Sequence, residues 1–507
     1  MPSFAGYIIV IVDTDQKLEY KLCSFVRLGN IIGFMNTVRA TRDRDLLHGP
    51  IFPKILSFVF PLMLTNMLQS IYSAADMIIV GLSNVDGAIG AIGTTGAMVA
   101  MIINIFAGLA IGSNVMVARS IGEGNASKVD DAVHTSVSVG IISGLITMTI
   151  GLFISRPLLK LLGDQGHILD LATLYTKIYF LGVPFISVTN FLIAIFRAKG
   201  DTRTPLVVLT ITGLLNVMLN LIFVKAFGMS VDGVSLATGI SNLVSMVILA
   251  VILHRDRGMC HLELKKIRIE RKSLSGIIYN GVPASLQGAL FSISNMAIQS
   301  SIISINNASF PGGSEIIDGN AAGGSIESFA YVAANSVTQA TVTFTSQHYG
   351  ARSTDRINKV IANCFLVSFM VAELVSILLL SLRRILIPLY ISSPAAMEAA
   401  STRLTVMLSA YFILGFMEVG SGVVRGMNRS ILSTLVSLLG SCVLRLIWIY
   451  TYVAAHPSLV LVYISYPVSW AITGIAHFLV GNHLRRKFIR LYSPQPSAEP
   501  TASSEAL

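Results

Sequence analysis

Charge is scarce in this sequence. Asp, Glu, Lys and Arg make up 12% of the 507 residues, about half the share found in soluble proteins, and so little charge excludes a chain that covers itself with a hydrated surface. Cysteine is rarer still. Cys23, Cys260, Cys364 and Cys442 are scattered without a C-x-x-C spacing, so neither a disulfide framework nor a thiolate metal centre is expected. No Gly-Lys dipeptide occurs, which removes the Walker A loop and with it an ATP-driven pump within one chain. H-E-x-x-H and paired catalytic acids are also missing, so an enzyme is not expected, nor a cofactor or a bound structural metal. The apolar stretch at 4–12 lacks a basic leader and ends in Asp13, a poor signal peptide. Residues 1–34 read as an upstream extension, with Met35 the more natural start.

Apolar residues are what the chain has, at 53%. A bilayer-spanning helix needs about 20 of them in a row, and stretches such as 206–227, 360–382 and 459–480 supply that length repeatedly. The alternating polarity of an outer-membrane barrel strand does not occur. The pattern predicts an all-α polytopic membrane protein with twelve transmembrane helices, near 54–81, 87–116, 133–155, 170–194, 204–227, 233–253, 277–305, 321–345, 360–381, 399–423, 431–454 and 459–481. The formal charge of +10 follows this topology rather than a nucleic-acid surface. Connections on one side carry 25 Lys and Arg, those on the other about 7; by the positive-inside rule both termini are cytoplasmic in a multi-pass protein of the cell membrane. The densest basic run, from His254 to Lys272, joins two halves and reads as a topology anchor facing anionic lipid, with regulatory or nucleic-acid binding as the alternative.

The halves repeat. Arg119-Ser-Ile-Gly122 resembles Gln347-His-Tyr-Gly350, and the loop from Arg197 to Pro205 resembles the one that starts at Arg425; both pairs are 228 residues apart, whereas Pro61 and Pro283 are 222 apart. About six residues of difference are expected in the polar 306–320 segment. Each half holds an even number of spans, so the repeats share one orientation about an axis along the membrane normal. Two pseudo-symmetric six-helix lobes around a central cleft follow. The expected organisation is an N-terminal extension at 1–45, an N-lobe at 46–254, a basic linker at 255–276, a C-lobe at 277–484 and a cytoplasmic tail at 485–507. Gly108/Gly112, Gly140/Gly144 and Gly422/Gly426 have the small-x-x-x-small spacing that lets helix backbones approach.

Acids at mid-bilayer are costly and are candidates for function. Four are expected there: Asp76, Glu327, Glu373 and Glu418. Asp76 shares a helical face with Gln69, Tyr72 and Ser73, on a span that also carries Asn66. Asn216 and Asn220, one turn apart on the fifth span, and Thr238 on the sixth can hold an acid, a water or a cation through oxygen, or can form an ordinary polar packing cluster. Asn66, Gln69, Tyr72, Gln287, Glu327, Glu418 and Arg445 are candidates to line the cleft. A Glu to Arg445 bridge is as consistent with the pattern as a substrate or coupling role. Pro61, Pro184 and Pro283 place helix breakers in or at the start of spans, as hinges or as tolerated bends.

The run from Phe60-Pro61 through Asn66, Gln69, Tyr72 and Asp76 to Gly81, with the Arg197–Pro205 loop, resembles the multidrug and toxic compound extrusion (MATE) transporters from about Asp45 to Arg490, nearest to their bacterial DinF-like branch. The resemblance implies a V-shaped pair of lobes that alternates access and exports small cationic, lipophilic compounds against proton or sodium entry; separately, no nucleic-acid partner is expected, and the chain is expected to work as a monomer. It makes Asp76 the coupling acid, a possible sodium ligand, with Asn216 and Thr238 as its polar partners. Asn220 falls where many relatives carry a second Asp. Phe291 falls where relatives with a sodium site in the second lobe carry Glu. A flippase or exporter of a lipid-linked or polysaccharide precursor is the alternative within the same superfamily.

Overall fold

Lipid offers a backbone no hydrogen bonds, so a spanning segment must satisfy its own N–H and C=O groups, and every regular element among the described residues is helical. This computed structural model describes residues 45–493 apart from 82, 84, 86 and 162–165; the expected extension at 1–34, Cys23 and the end of the tail lie outside the described residues.

The first half comprises α1 (Ile51–Gly81), α2 (Ala88–Gly122), α3 (Ala126–Leu161), α4 (Gly166–Ala198), α5 (Arg203–Leu221) and α6 (Val231–Arg255). The second comprises α7 (Arg271–Ser309), α8 (Glu315–Gly350), α9 (Thr354–Leu386), the pair α10 (Pro394–Leu408) and α11 (Tyr411–Gly426), α12 (Ser430–Ser437) and α13 (Leu444–Trp448) in one crossing, and α14 (Leu459–Tyr492). The expected spans coincide with these twelve crossings, with two differences. The tenth is broken between α10 and α11 by a 49° bend, and the break at Ser409–Ala410 contains neither proline nor glycine. The eighth, α8, is 36 residues long but falls short of the hydropathy of a lipid-exposed span, unlike ten other helices and the bent pair. Its Ser, Thr, Asn and Gln residues are tolerated because α2, α9, α10 and α11 encase it, and from Ala333 to Gly350 it is almost wholly buried. Outward-facing Ile142, Leu145, Ile146, Phe153, Leu374 and Ile377 are exposed, as lipid-facing positions must be.

Within the halves α4 packs on α3, α2 and α6, α1 on α5, and α11 on α8, α9 and α14, while α2 crosses to pack on α7 and α8 of the second half. The repeat is visible in equivalent hydroxyl bonds, although the acceptor atoms differ. Thr202 Oγ1 donates to the Phe58 carbonyl at 3.0 Å and, at equivalent positions, Ser430 Oγ donates to Asn280 Oδ1 at 2.9 Å. A π-helical turn at Ile222–Ala226 ends the fifth crossing, and another at Ile449–Val453 ends the eleventh. The offset of 222 near the first spans has a different origin from the one expected. Helix α7 continues 26 residues past Pro283, whereas α1 continues 20 past Pro61, so the six extra residues lengthen a helix instead of a loop. All three small-residue pairs pack against backbone or side chains of a neighbouring helix: Gly108 and Gly112 on α7, Gly140 and Gly144 on α4, Gly422 and Gly426 on α8.

The linker is shorter than expected, because α7 already begins at Arg271. It is strapped to α3: Arg268 pairs with Asp131 at 2.5 Å, and the Glu263 and Glu270 amides donate to His134 Nε2 and Thr135 Oγ1, each at 3.0 Å. Lys199, just past α4, pairs with Asp256 at 2.5 Å. Burial acts to raise the Asp256 carboxyl, but the Lys199 ammonium and the Gly258 amide outweigh it and hold the group below its ordinary range. A carboxylate depressed in the fold contributes stability above its unfolded pKa, about 3.9, and loses it as pH falls through the folded value. The thermal midpoint of Asp256→Asn in detergent is therefore expected to lie below wild type at pH 7, and the gap to close as pH falls below about 4. A pH-independent gap would contradict this.

Candidate functional site

A cavity of about 440 Å³ lies in the first half between α1, α2, α4, α5, α6 and the inner face of α8. Its polar wall is the α1 stripe, with Asn66, Gln69, Tyr72 and Asp76. Helical spacing of three and four residues aligns them, and Gly213 on α5 makes room for the Tyr72 ring, which occupies the position a Cβ would need there. Asp76 ends a chain of hydrogen bonds. Asn220 Nδ2 donates to Asp76 Oδ1 at 2.5 Å and reaches Asn216 Oδ1 at 3.3 Å; Asn216 Nδ2 in turn reaches Thr238 Oγ1 at 3.4 Å. Asn216 and Thr238 face the cavity, while Asn220 is fully buried behind them and its Oδ1 lacks a partner. One carboxylate among amide and hydroxyl oxygens can hold a proton or a single small cation. Among the described residues no cluster of three or more acids, histidines or cysteines forms a metal centre.

Among the lining residues that escape the sequence reading are Tyr331, Asn335 and Gln339 of α8. Their spacing of four puts them on one helical face, and that periodic polar stripe is the signal that could have found them.

The second half holds a cavity of about 420 Å³, and its charges pair differently from the expectation. Glu327 is bridged by Arg403, whose Nε and Nη2 both lie 2.9 Å from Oε2, while the Tyr411 hydroxyl donates to Oε1 at 3.1 Å. Arg403 also donates to Asn320 Oδ1 at 2.5 Å. A bridge from Glu327 to Arg445 is not made, because α10 presents Arg403 closer. Removing one partner of such a buried pair costs about 3–5 kcal/mol, because the other charge is left uncompensated. Arg445 is buried, donates from Nη2 to Ser469 Oγ at 3.0 Å and lies 4.1 Å over the Tyr466 ring. Glu418 and Phe291 line the same cavity. Gln287 lines neither intramembrane cavity; its Oε1 accepts from Arg425 Nη2 at 2.7 Å. Glu373, on α9, is half-buried and outside both. Helices α1 and α7 run unbroken through Pro61 and Pro283.

The two halves meet from the basic end inwards to about the middle of α2 and α7. Gly122 packs on the Gln347 carbonyl and Gly350 on the Arg119 carbonyl, so residues 228 apart exchange roles about the pseudo-two-fold axis. Around this crossing Gln347 Nε2 donates to the Ala198 carbonyl at 2.7 Å, Thr343 Oγ1 to Asn114 Oδ1 at 3.1 Å, and Phe58 meets Phe344 edge-on at 5.7 Å. Deeper bonds join Asn66 to Ser336 at 3.1 Å and Ser285 to the Ile105 carbonyl at 2.8 Å. Beyond these, towards the ends of α1 and α7, no hydrogen bond joins the halves among the described residues.

The MatE family profile matches residues 61–222 and again 283–451, one match per half, each beginning at the corresponding proline. The probable multidrug resistance protein YoeA of Bacillus subtilis (strain 168) is 22% identical over 388 residues, 75% of this chain and 82% of YoeA. The multidrug export protein MepA of Staphylococcus aureus (strain bovine RF122 / ET3-1) is 24% identical over 260 residues, 51% of this chain and 58% of MepA. Among solved structures, the outward-facing conformation of a multidrug resistance MATE family transporter of the MOP superfamily has the same fold, with a TM-score of 0.82 at 22% identity, over 89% of this chain and 99% of that one.

Proposed function

This chain belongs to the MatE family, and from that premise we propose that it is a secondary active multidrug efflux transporter, exchanging small, often cationic lipophilic compounds for protons or sodium ions. The observation that carries the proposal is the Asp76–Asn220–Asn216–Thr238 chain, an acid poised at the wall of a cavity large enough for a small organic molecule. The named roles of YoeA and MepA in multidrug resistance and export support the substrate class. In this reading the N-lobe is 46–254 and the C-lobe 277–484, the protein works as a monomer in the cell membrane, and the basic end with both termini is cytoplasmic. Closure at Gly122 and Gly350 then makes this an outward-open state. The DinF-like placement belongs to the same proposal.

Substrate and coupling ion compete for Asp76. An ion arriving from outside neutralises the carboxylate, the substrate cation leaves, and the ion's departure inwards resets the site. Bending of α1 at Pro61 and of α7 at Pro283 supplies the hinge motion. With Asn220 in place of a second acid, the site can balance one positive charge. A potential of 100 mV supplies about 2.3 kcal/mol per charge, about 50-fold in concentration for one cation exchanged against a neutral substrate. Export of a cationic dye from proteoliposomes, driven first by an imposed proton gradient and then by a sodium gradient, tests this. Acceleration by either gradient is expected; indifference to both would overturn ion coupling.

A further inference from the structure

The interior of the second half carries an odd number of charges. Arg403, Arg425 and Arg445 face only Glu327 and Glu418. Both oxygens of Glu327 are taken by Arg403 and Tyr411. Glu418 feels the positive charge of Arg425 without forming an ion pair with it, and is hydrogen-bonded to the Thr338 hydroxyl. Neither Arg425 nor Arg445 forms an ion pair among the described residues, and the Nε of each has no hydrogen-bond partner; Arg425 is held by Gln287 and lies outside the cavity, whereas Arg445 lines it. Arg445 is 6% exposed, at a depth where an uncompensated cation is costly. Tyr466 covers one face of its plane and Ser469 takes one N–H, while the residue itself forms part of the cavity wall beside Tyr466 and Trp470.

The backbone supports the same reading. Arg445 sits on α13, a five-residue segment between two π-helical turns, Leu438–Val443 and Ile449–Val453. The second turn has its counterpart at Ile222–Ala226 in the first half; the first has none, since α5 is regular there. Extra π turns are rare and concentrate at functional sites. This one immediately precedes the arginine that the first half lacks, the equivalent residue there being Val217.

We propose that the second-half cavity is an oxyanion-binding site, in which Arg445 seats the carboxylate, sulfonate or phosphate head of an amphiphile whose apolar body lies against Tyr466 and Trp470. The planar guanidinium fork matches such heads, and the bound anion supplies the charge the lobe lacks. Beside the cation-binding reading of Asp76, this gives the two cavities opposite preferences. The head could belong to a small amphiphilic acid or to an anionic phospholipid.

The chain has two tryptophans, and only Trp470 lines this cavity, so Trp448→Phe leaves a single reporter. In phosphatidylcholine nanodiscs, 4-nitrobenzoate is expected to quench Trp470 saturably at a concentration at least about 10-fold below that of neutral 4-nitrobenzamide, since hydrogen bonds to charged groups contribute about 1.5–3 kcal/mol. Arg445→Gln abolishes that preference and Arg445→Lys retains part of it. Adding phosphatidylglycerol identifies the source: loss of nitrobenzoate quenching assigns the site to lipid heads, and unchanged quenching assigns it to soluble acids, both in agreement with an oxyanion site. Equal quenching by acid and amide in the single-tryptophan protein, or a preference that survives in Arg445→Gln, overturns the proposal. The acid-to-amide ratio decides even if the glutamine variant fails to fold. Equilibrium quenching reads occupancy without transport, so failure of ion-coupled export leaves this result separately readable.

Discussion

Replacing Gly122 and Gly350 together by valine is expected to hold the lobes apart at the basic end and abolish export, with each lobe still folded. Neither glycine packs inside its own lobe at this point; each lies against a backbone carbonyl of the other, Gln347 for Gly122 and Arg119 for Gly350. A carbonyl on a helix cannot swing aside as a side-chain end can. Overpacking costs about 1–3 kcal/mol per site, and because it falls only on the closed state, two sites shift the equilibrium towards opening by roughly 30-fold or more. A thiol placed at Thr343, buried in the closed crossing, should then be alkylated from the basic side at least about 10-fold faster in a background without other cysteines. Unaltered alkylation together with unaltered export would show that the crossing is not the gate.

Asp76→Asn is expected to lower gradient-driven export at least about 100-fold while leaving the protein's melting temperature close to wild type. The amide oxygen of the new side chain can still accept the bond that Asn220 donates to Asp76 Oδ1, so the polar chain through Asn216 and Thr238 survives. What disappears is the one negative charge in that cavity. Without it neither proton nor cation is exchanged against substrate, and dye should equilibrate independently of the gradient. Export that stays ion-coupled in a folded Asp76→Asn protein would move the coupling site elsewhere.

The crossings and the repeat were legible in the sequence because both are set by one-dimensional patterns. Long apolar runs must become helices in lipid, and landmarks at a fixed offset must occupy equivalent places. Local departures from regularity were not. The bend at Ser409–Ala410 has no breaker residue to announce it, and the π turns around Arg445 leave hydropathy unchanged. Pairings were legible only in part. Asp76, Asn216, Asn220 and Thr238 do converge, since spacing along α1 and α5 fixes which faces they occupy. The partner of Glu327 depends on which helix lies across from α8, and that is a property of packing. Arg403 was nevertheless inside the expected tenth span, where a cation already calls for a buried acid. Gln287 likewise found Arg425 instead of the cavity, because α7 turns that face towards α11.

Helix α8 owes its place in the bilayer to its neighbours. Its hydropathy falls below that of the other crossings, and a glutamate at a helix centre adds about 2.5–3.5 kcal/mol to the cost of leaving the translocon for lipid. When α8 emerges from the ribosome, α2 is already in the membrane and offers it a polar-tolerant surface; α9, α10 and α11 come later and complete the enclosure. The stability of α8 in lipid thus depends on a helix of the first lobe as well as on three of its own.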